Sequence, residues 1–143
     1  MLFLFTFIVG ISLSWVVPFK MTQFMEYDMT QMFGLIFLLI SLVLNFMAYR
    51  MFKHHTTPHA PHAVPTALIK AGVFALSRNP VYLALILSEV GLAFIFDSMW
   101  LVFAAAALWI SLDIIIVRDE ERVLENTFKQ DYTEYKKNTR RWF

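Results

Sequence analysis

Carboxylates in apolar surroundings are the first residues in this chain that could do chemistry. Glu89 and Asp113 each lie inside a long apolar stretch, where an ionisable side chain is expensive and therefore a candidate for function. The competing reading is a polar contact between helices or a protonated acid. It is favoured for Glu89 and evenly balanced against function for Asp113. Asp119, Glu120 and Glu121 stand directly after an apolar run. On spacing alone they read first as a charged helix end at the water boundary; as a site, a carboxylate pair facing a loop would suit a cationic ligand. Asp113 and Glu120 are seven positions apart, which in an α-helix puts both on one face. Arg78-Asn79-Pro80-Val81-Tyr82 reads by spacing as interface punctuation: a basic anchor, a cap, a helix-starting proline and a belt tyrosine. His54, His55, His59 and His62 have spacings that a metal would tolerate. Prolines keep them off a helix and no carboxylate lies among them, so they read as a solvated loop and no metal site is assigned.

Much other chemistry is excluded. There are no cysteines, hence no disulfides, thiolate nucleophile or cysteine-ligated zinc. The four glycines, Gly10, Gly34, Gly72 and Gly91, are too widely spaced for a dinucleotide fingerprint or a P-loop. A net charge of +1 gives no reason to expect a nucleic-acid partner.

The elements that must position these residues follow from composition. The chain has 143 residues, 59% apolar and 16% charged, against about 45–50% and about 25% in ordinary globular proteins. So small a chain cannot hide that much apolar surface from water, and a lipid bilayer must cover the remainder. The expected architecture is a single all-α domain over 1–143: a polytopic integral membrane protein of about four transmembrane helices plus a C-terminal cytosolic amphipathic helix. Spans are predicted near 2–19, 30–51, 80–96 and 98–117. Asp97-Ser98 is the natural break, since both residues cap helices and turn chains. The short third span implies a tight hairpin in a tilted or locally thinned bilayer. The N-terminal run lacks the basic start and small-residue cleavage site of a signal peptide, so it reads as a span. Eleven of the twelve lysines and arginines fall in 50–79 or beyond 117. The positive-inside rule then puts that loop, the tail and both termini in the cytosol.

The loop 54–79 holds Pro58, Pro61 and Pro65 and cannot be one helix. Residues 66–76 read as a short helical or interfacial segment, and Pro80 suits the first turn of the third span. The tail predicts a helix over 118–137. Leu124, Phe128, Tyr132 and Tyr135 form its apolar stripe, Glu125 and Lys129 pair on another face, and Trp142 and Phe143 suit an interfacial anchor.

Taken together, Leu68 to Phe74, Ser77-Arg78-Asn79-Pro80-Val81-Tyr82, Glu120-Glu121 with Leu124, Phe128, Tyr132 and Tyr135, and the terminal Arg-Arg-Trp resemble the isoprenylcysteine carboxyl methyltransferase family. They more loosely resemble its bacterial relatives and the phospholipid methyltransferases. The resemblance covers about 66–143. It implies a small bundle of membrane helices with a cytosol-facing pocket and S-adenosylmethionine as methyl donor. The donor would contact Leu68, Ile69, Phe74, Asn79, Pro80, Val81, Tyr82 and Glu120, and the catalytic positions would be Glu121 and Arg78. Asn79 stands where many members carry histidine. Prenylcysteine-specific members place an arginine one helical turn before the Glu-Glu pair; here that residue is Ile116, and Arg118 is expected to point elsewhere.

The implied function is methyl transfer, at the cytosolic membrane face, to a lipidic or membrane-embedded acceptor, carboxylate or amine. The site's main work would be to position two reactants in a dry pocket. A protonated amine would need a base, with Glu120 or Glu121 as candidates; a carboxylate would need none. The implied partners are the bilayer and a lipophilic small molecule. A phospholipid amine methyltransferase is one alternative, and a non-catalytic membrane protein that keeps the fold as a ligand- or partner-binding module is another.

Overall fold

The computed structural model describes residues 1–54 and 66–142; His55, His59, His62 and Phe143 lie outside the described residues. Among the described residues every regular element is helical. The first, α1, spans Leu2–Val16 and stops short of the expected 2–19, because Pro18 follows and Val17 is already extended. A 3₁₀ turn, Met21–Gln23, leads into α2, Tyr27–His54, which overruns the expected 30–51 at both ends.

Residues 66–76 are less helical than expected. Only Val73–Leu76 forms a turn of helix, α3, and Gly72 precedes it at φ +62°, a conformation that favours glycine. Next come α4, Pro80–Ile95, with Pro80 at its first turn as read from the sequence, and α5, Met99–Ser111, capped by Ser98 accepting from the Leu101 amide. Asp97 makes the tight corner between them at φ +50°. Its carboxylate accepts from the Thr22 amide and hydroxyl, both at 2.8 Å. Leu112–Val117 is a π-turn, and α6 continues from Arg118 to Asn138.

Two stretches are long and apolar enough to cross a bilayer: Tyr27–His54, and the run Met99–Asn138 that joins α5 to α6. The helices α1 and α4, of 15 and 16 residues, are apolar but reach only about 22–24 Å. Leu35, Leu39, Leu42, Val43 and Phe46 of α2 are exposed, a surface that water would penalise and acyl chains would not.

Small residues set the packing. The helices α2 and α4 cross so closely that a Cβ on Gly91 would lie 3.0 Å from the Gly34 carbonyl and 2.9 Å from Leu38. On α1, a Cβ on Gly10 would lie 2.7 Å from Leu101 of α5. Polar contacts stitch the same interfaces. Ser41 donates to the Ala84 carbonyl at 2.7 Å, and Thr6 donates to Glu89 at 3.1 Å. Glu89 is fully buried, so its observed partner is the interhelical contact favoured for it from the sequence.

The tail departs from a simple helix. Lys129 sits at φ +46°, ψ −114°, and the chain folds back on itself there. A straight helix would put residue 141 about 40 Å from residue 113, yet Arg141 Nη1 is 3.0 Å from Asp113 Oδ1. The expected Glu125–Lys129 pair is therefore absent. Glu125 instead pairs with Lys136 on the returning arm, whose hydrogen bond holds the Glu125 carboxyl below its ordinary range. The apolar stripe survives the fold: Tyr132 and Tyr135 are buried, and Leu124 and Phe128 are half-buried.

Candidate active site

The returning arm brings the C-terminal residues over the start of α4. The Arg78 amide donates to the Arg140 carbonyl at 3.1 Å. The Ser77 hydroxyl and the Asn79 amide side chain both donate to the Arg141 carbonyl, at 3.1 and 3.2 Å. Asn79 thus ties down the tail and makes no side-chain cap to its own helix. Tyr135 donates to the Phe74 carbonyl, and burial pushes its phenol up to about 12. Burial also raises the Tyr132 phenol, with Glu121 adding to the shift.

Beneath this arm lies an ion-pair cluster. Arg78 Nη2 is 2.9 Å from Glu121 Oε1, and the two side chains are only 9% and 8% exposed. Arg141 grips the same carboxylate from the other side, Nη2 to Oε2 at 2.6 Å and Nε to Oε1 at 3.2 Å. It also donates to both oxygens of Asp113, at 3.0 and 3.3 Å. Those hydrogen bonds, the Glu121 ones foremost, hold the Arg141 guanidinium above its ordinary value. Trp142 Nε1 donates to Asp113 at 3.1 Å, and the Trp142 ring meets Trp109 edge-on. Arg78 Nε is buried and has no hydrogen-bond partner among the described residues, the kind of orphaned donor that calls for an acceptor.

The neighbouring carboxylate turns away. Glu120 Oε1 accepts from the Tyr82 hydroxyl at 2.6 Å. The π-turn explains the split. It inserts in effect one extra residue into the helix, so Arg141 bridges Asp113 to Glu121, eight positions on, and the expected shared face of Asp113 and Glu120 is lost. It also corrects the expectation for Arg118. With i and i+5 stacked across a π-turn, Arg118 Nη2 comes within 3.6 Å of Asp113 Oδ2 and turns toward the cluster.

A cleft of about 550 Å³ opens beside this cluster. Its polar side is Arg78, Asp113, Arg118 and Arg141; its apolar side is Trp109, Ile110, Ile114 and Trp142. Of the residues singled out for catalysis or cofactor binding, only Arg78 lines it. Glu121 belongs to the ion pair itself, and three of the others share one apolar cluster. Ile69 and Phe74 are buried with Ala48 and Val73, and Val81 packs against them. Leu68 is half-buried, Pro80 is buried, and Tyr82 reaches Glu120.

A family model described as phospholipid methyltransferase matches residues 29–131, from α2 to just past the reversal in α6. The chain belongs to the phospholipid methyltransferase family. No curated protein and no solved structure matches it. Phospholipid methyltransferase membership carries methyl-transfer chemistry on lipid-type membrane substrates, in line with the resemblance read from Arg78 to Tyr82 and the Glu-Glu pair. In this phospholipid methyltransferase family member, Arg141 and Trp142 lie beyond the matched residues yet complete the cluster. Sequence reasoning gave Arg141 no role; the only signal for it was the terminal Arg-Arg-Trp.

Proposed function

We propose that the protein is an S-adenosylmethionine-dependent methyltransferase acting on a lipophilic acceptor at the cytosolic face of a membrane. In this reading residues 1–143 form one domain, α1, α2, α4 and α5 with its π-turn are four spans, and both termini are cytosolic. Support for the topology comes from the eleven basic residues gathered in 50–79 and beyond 117. The observation that carries the chemistry is the buried Arg78–Glu121 pair, with its unsatisfied Arg78 Nε, beside the Tyr82–Glu120 hydrogen bond.

These residues suit the proposed donor. A buried N–H without a partner fits a carboxylate, and a half-buried glutamate fits cationic groups; S-adenosylmethionine carries both. Bound, it supplies a methyl group on a positively charged sulfur. Arg78 and Glu120 would hold its charged ends, and Leu68, Ile69, Phe74, Asn79, Pro80, Val81 and Tyr82 would wall that side. Glu121, with both oxygens gripped by arginines, positions Arg78. Glu120, which accepts from the Tyr82 hydroxyl, is the candidate base for an amine acceptor. The walls exclude water, so the acceptor meets the methyl group with little competition from hydrolysis.

The test is incubation of the protein in nanodiscs with methyl-labelled donor and a total lipid extract. Label is expected in the organic phase. Mild base then separates an ester, which releases methanol, from an N-methyl product, which does not. Label confined to water would overturn the lipophilic acceptor, and absence of donor binding by calorimetry in folded protein would overturn the enzyme reading.

A further inference from the structure

Glu89 has no part in the donor site proposed above, and no opposite charge stands beside it. It is fully buried near the middle of α4. Its Oε1 has no hydrogen-bond partner among the described residues, and its Oε2 meets the Thr6 hydroxyl of α1 at 3.1 Å. Neither α1 nor α5 carries a titratable side chain, and the amino group at the start of α1 belongs to the fully exposed Met1. On α2 the titratable groups are Tyr27 and Asp28 at one end and lie within 49–54 at the other. On α4 itself Tyr82 is two turns away and bonded to Glu120. Asp97 is held by Thr22 and Asp113 by Arg141. A carboxylate buried without a counter-charge is among the most costly groups a helix bundle can hold.

Thr6 offers a neutral arrangement. Its one hydroxyl hydrogen has three acceptors in reach: the Leu2 and Phe3 carbonyls, at 3.1 and 3.0 Å, and Glu89. With Glu89 ionised, that hydrogen goes to the carboxylate. With Glu89 protonated, the acid donates to Thr6 Oγ1 and Thr6 donates to a carbonyl of its own helix. One added proton thus makes two hydrogen bonds where there was one, and it removes the charge. Thr6, Gly10 and Ser14 recur every fourth residue and share a face of α1. Gly10 of that face meets Leu101, and Ser14 pairs with Ser98 beside the Asp97 corner. Glu89 and Asp97 are eight positions apart, about 12 Å of helix. An ionised Glu89 is relieved by water, and the short way for water is this seam, with α1 moved aside.

We propose that Glu89 is a proton-binding site that works as a latch: the protonated acid holds α1 against α4, and loss of its proton to water releases α1 along the Thr6–Ser14 seam. The latch is separate from the Arg78–Glu121 pair and requires nothing of the methyltransferase reading, so either can fail without the other.

The chain has no cysteine, so spin labels go only where cysteines are introduced. The full chain in nanodiscs carries Ile8→Cys on α1 and Leu39→Cys on α2, both at exposed positions. The close Gly34–Gly91 crossing fixes α2 to α4, which makes α2 the reference. Pulsed dipolar spectroscopy reads the distance between about pH 6 and about pH 10, a window that spans ordinary and deeply buried carboxyls. Infrared spectra follow the carbonyl band of a protonated acid on the same samples. The distance is expected to lengthen by about 3 Å or more, the width of one water, as the acid band disappears. Glu89→Gln, which cannot ionise, should lack the band and keep the short distance throughout. A distance that ignores pH, a lengthening that persists in Glu89→Gln, or an acid band already missing at the low end would overturn the proposal. Should Glu89→Gln fail to fold, Thr6→Val decides. It removes the hydroxyl that the docked acid binds, so the lengthening should move to lower pH by about half a unit to one unit. An unmoved midpoint would overturn the latch.

Discussion

Arg141 and Glu121 are twenty positions apart in sequence, and their side chains meet at 2.6 Å. The contact exists only because the tail reverses at Lys129, and it makes one carboxylate the common partner of Arg78 in the loop and Arg141 in the tail. The site is thus closed by an arm that comes from the opposite end of α6.

Removing Arg141 should loosen that arm. Arg141→Gln leaves Asp113 and Glu121 short of a partner in a largely buried setting. The expected cost is about 1–3 kcal/mol, less than for a fully buried pair because Arg141 is partly exposed. Thermal unfolding in detergent would measure it, and trypsin should cut the tail faster in the variant. Arg141→Lys should recover only part, since lysine cannot span both carboxylates.

Glu120→Gln should weaken binding of S-adenosylmethionine by about 1.5–3 kcal/mol, the scale of one charge-assisted hydrogen bond, with helicity intact. Tyr82→Phe should weaken it less, because the hydroxyl only orients the carboxylate. Calorimetry decides between this and its rival: normal binding by Glu120→Gln alongside weak binding by Glu121→Gln would mean that the inner carboxylate holds the donor.

High pH should release the returning arm. Tyr135 is raised to about 12 from an ordinary value near 10, so its protonated form is favoured by the fold. Its contribution is complete below pH 10 and is lost as pH rises through 12. Tyr135→Phe should flatten the stability profile across that window and cost about 1 kcal/mol at neutral pH. Ultraviolet titration of the phenols, compared between the two proteins, identifies the late-ionising group.

Backbone strain at Lys129 should be relievable. At φ +46° a side chain crowds its own carbonyl, and Lys129→Gly is expected to raise stability by up to about 1 kcal/mol. A lower midpoint on thermal denaturation would mean that the lysine side chain matters more than the strain.

Much of the framework was legible because the bilayer imposes simple rules. Apolar runs marked α1, α2, α4 and α5, an apolar stripe marked α6, Pro80 marked a helix start, and Asp97-Ser98 marked the corner, each through a local preference. The reversal at Lys129 was not legible. Nothing in Phe128-Lys129-Gln130 breaks a helix, and the tertiary pairing of Arg141 with Asp113 and Glu121 overrides local propensity. The π-turn was equally hidden, since Leu112 to Val117 reads as ordinary apolar helix. Both misses fell on the site: one hid Arg141, and the other put Asp113 on the face of Glu120 and turned Arg118 elsewhere. Arg78 and Glu121 were named as candidates from the resemblance, whereas their mutual contact could be seen only in three dimensions.

The π-turn also makes the rod from Met99 onward behave as a screw whose phase is set by counting. Deleting any one residue between Leu112 and Val117 would restore 3.6 residues per turn and rotate everything beyond by roughly 100°. Glu120 and Glu121 would swing together off their partners while the part within the membrane stayed in place. The number of residues in that short segment therefore governs the alignment of the two halves more strictly than their identities do. An isoleucine there could be exchanged for a valine at small cost, but it could not be omitted.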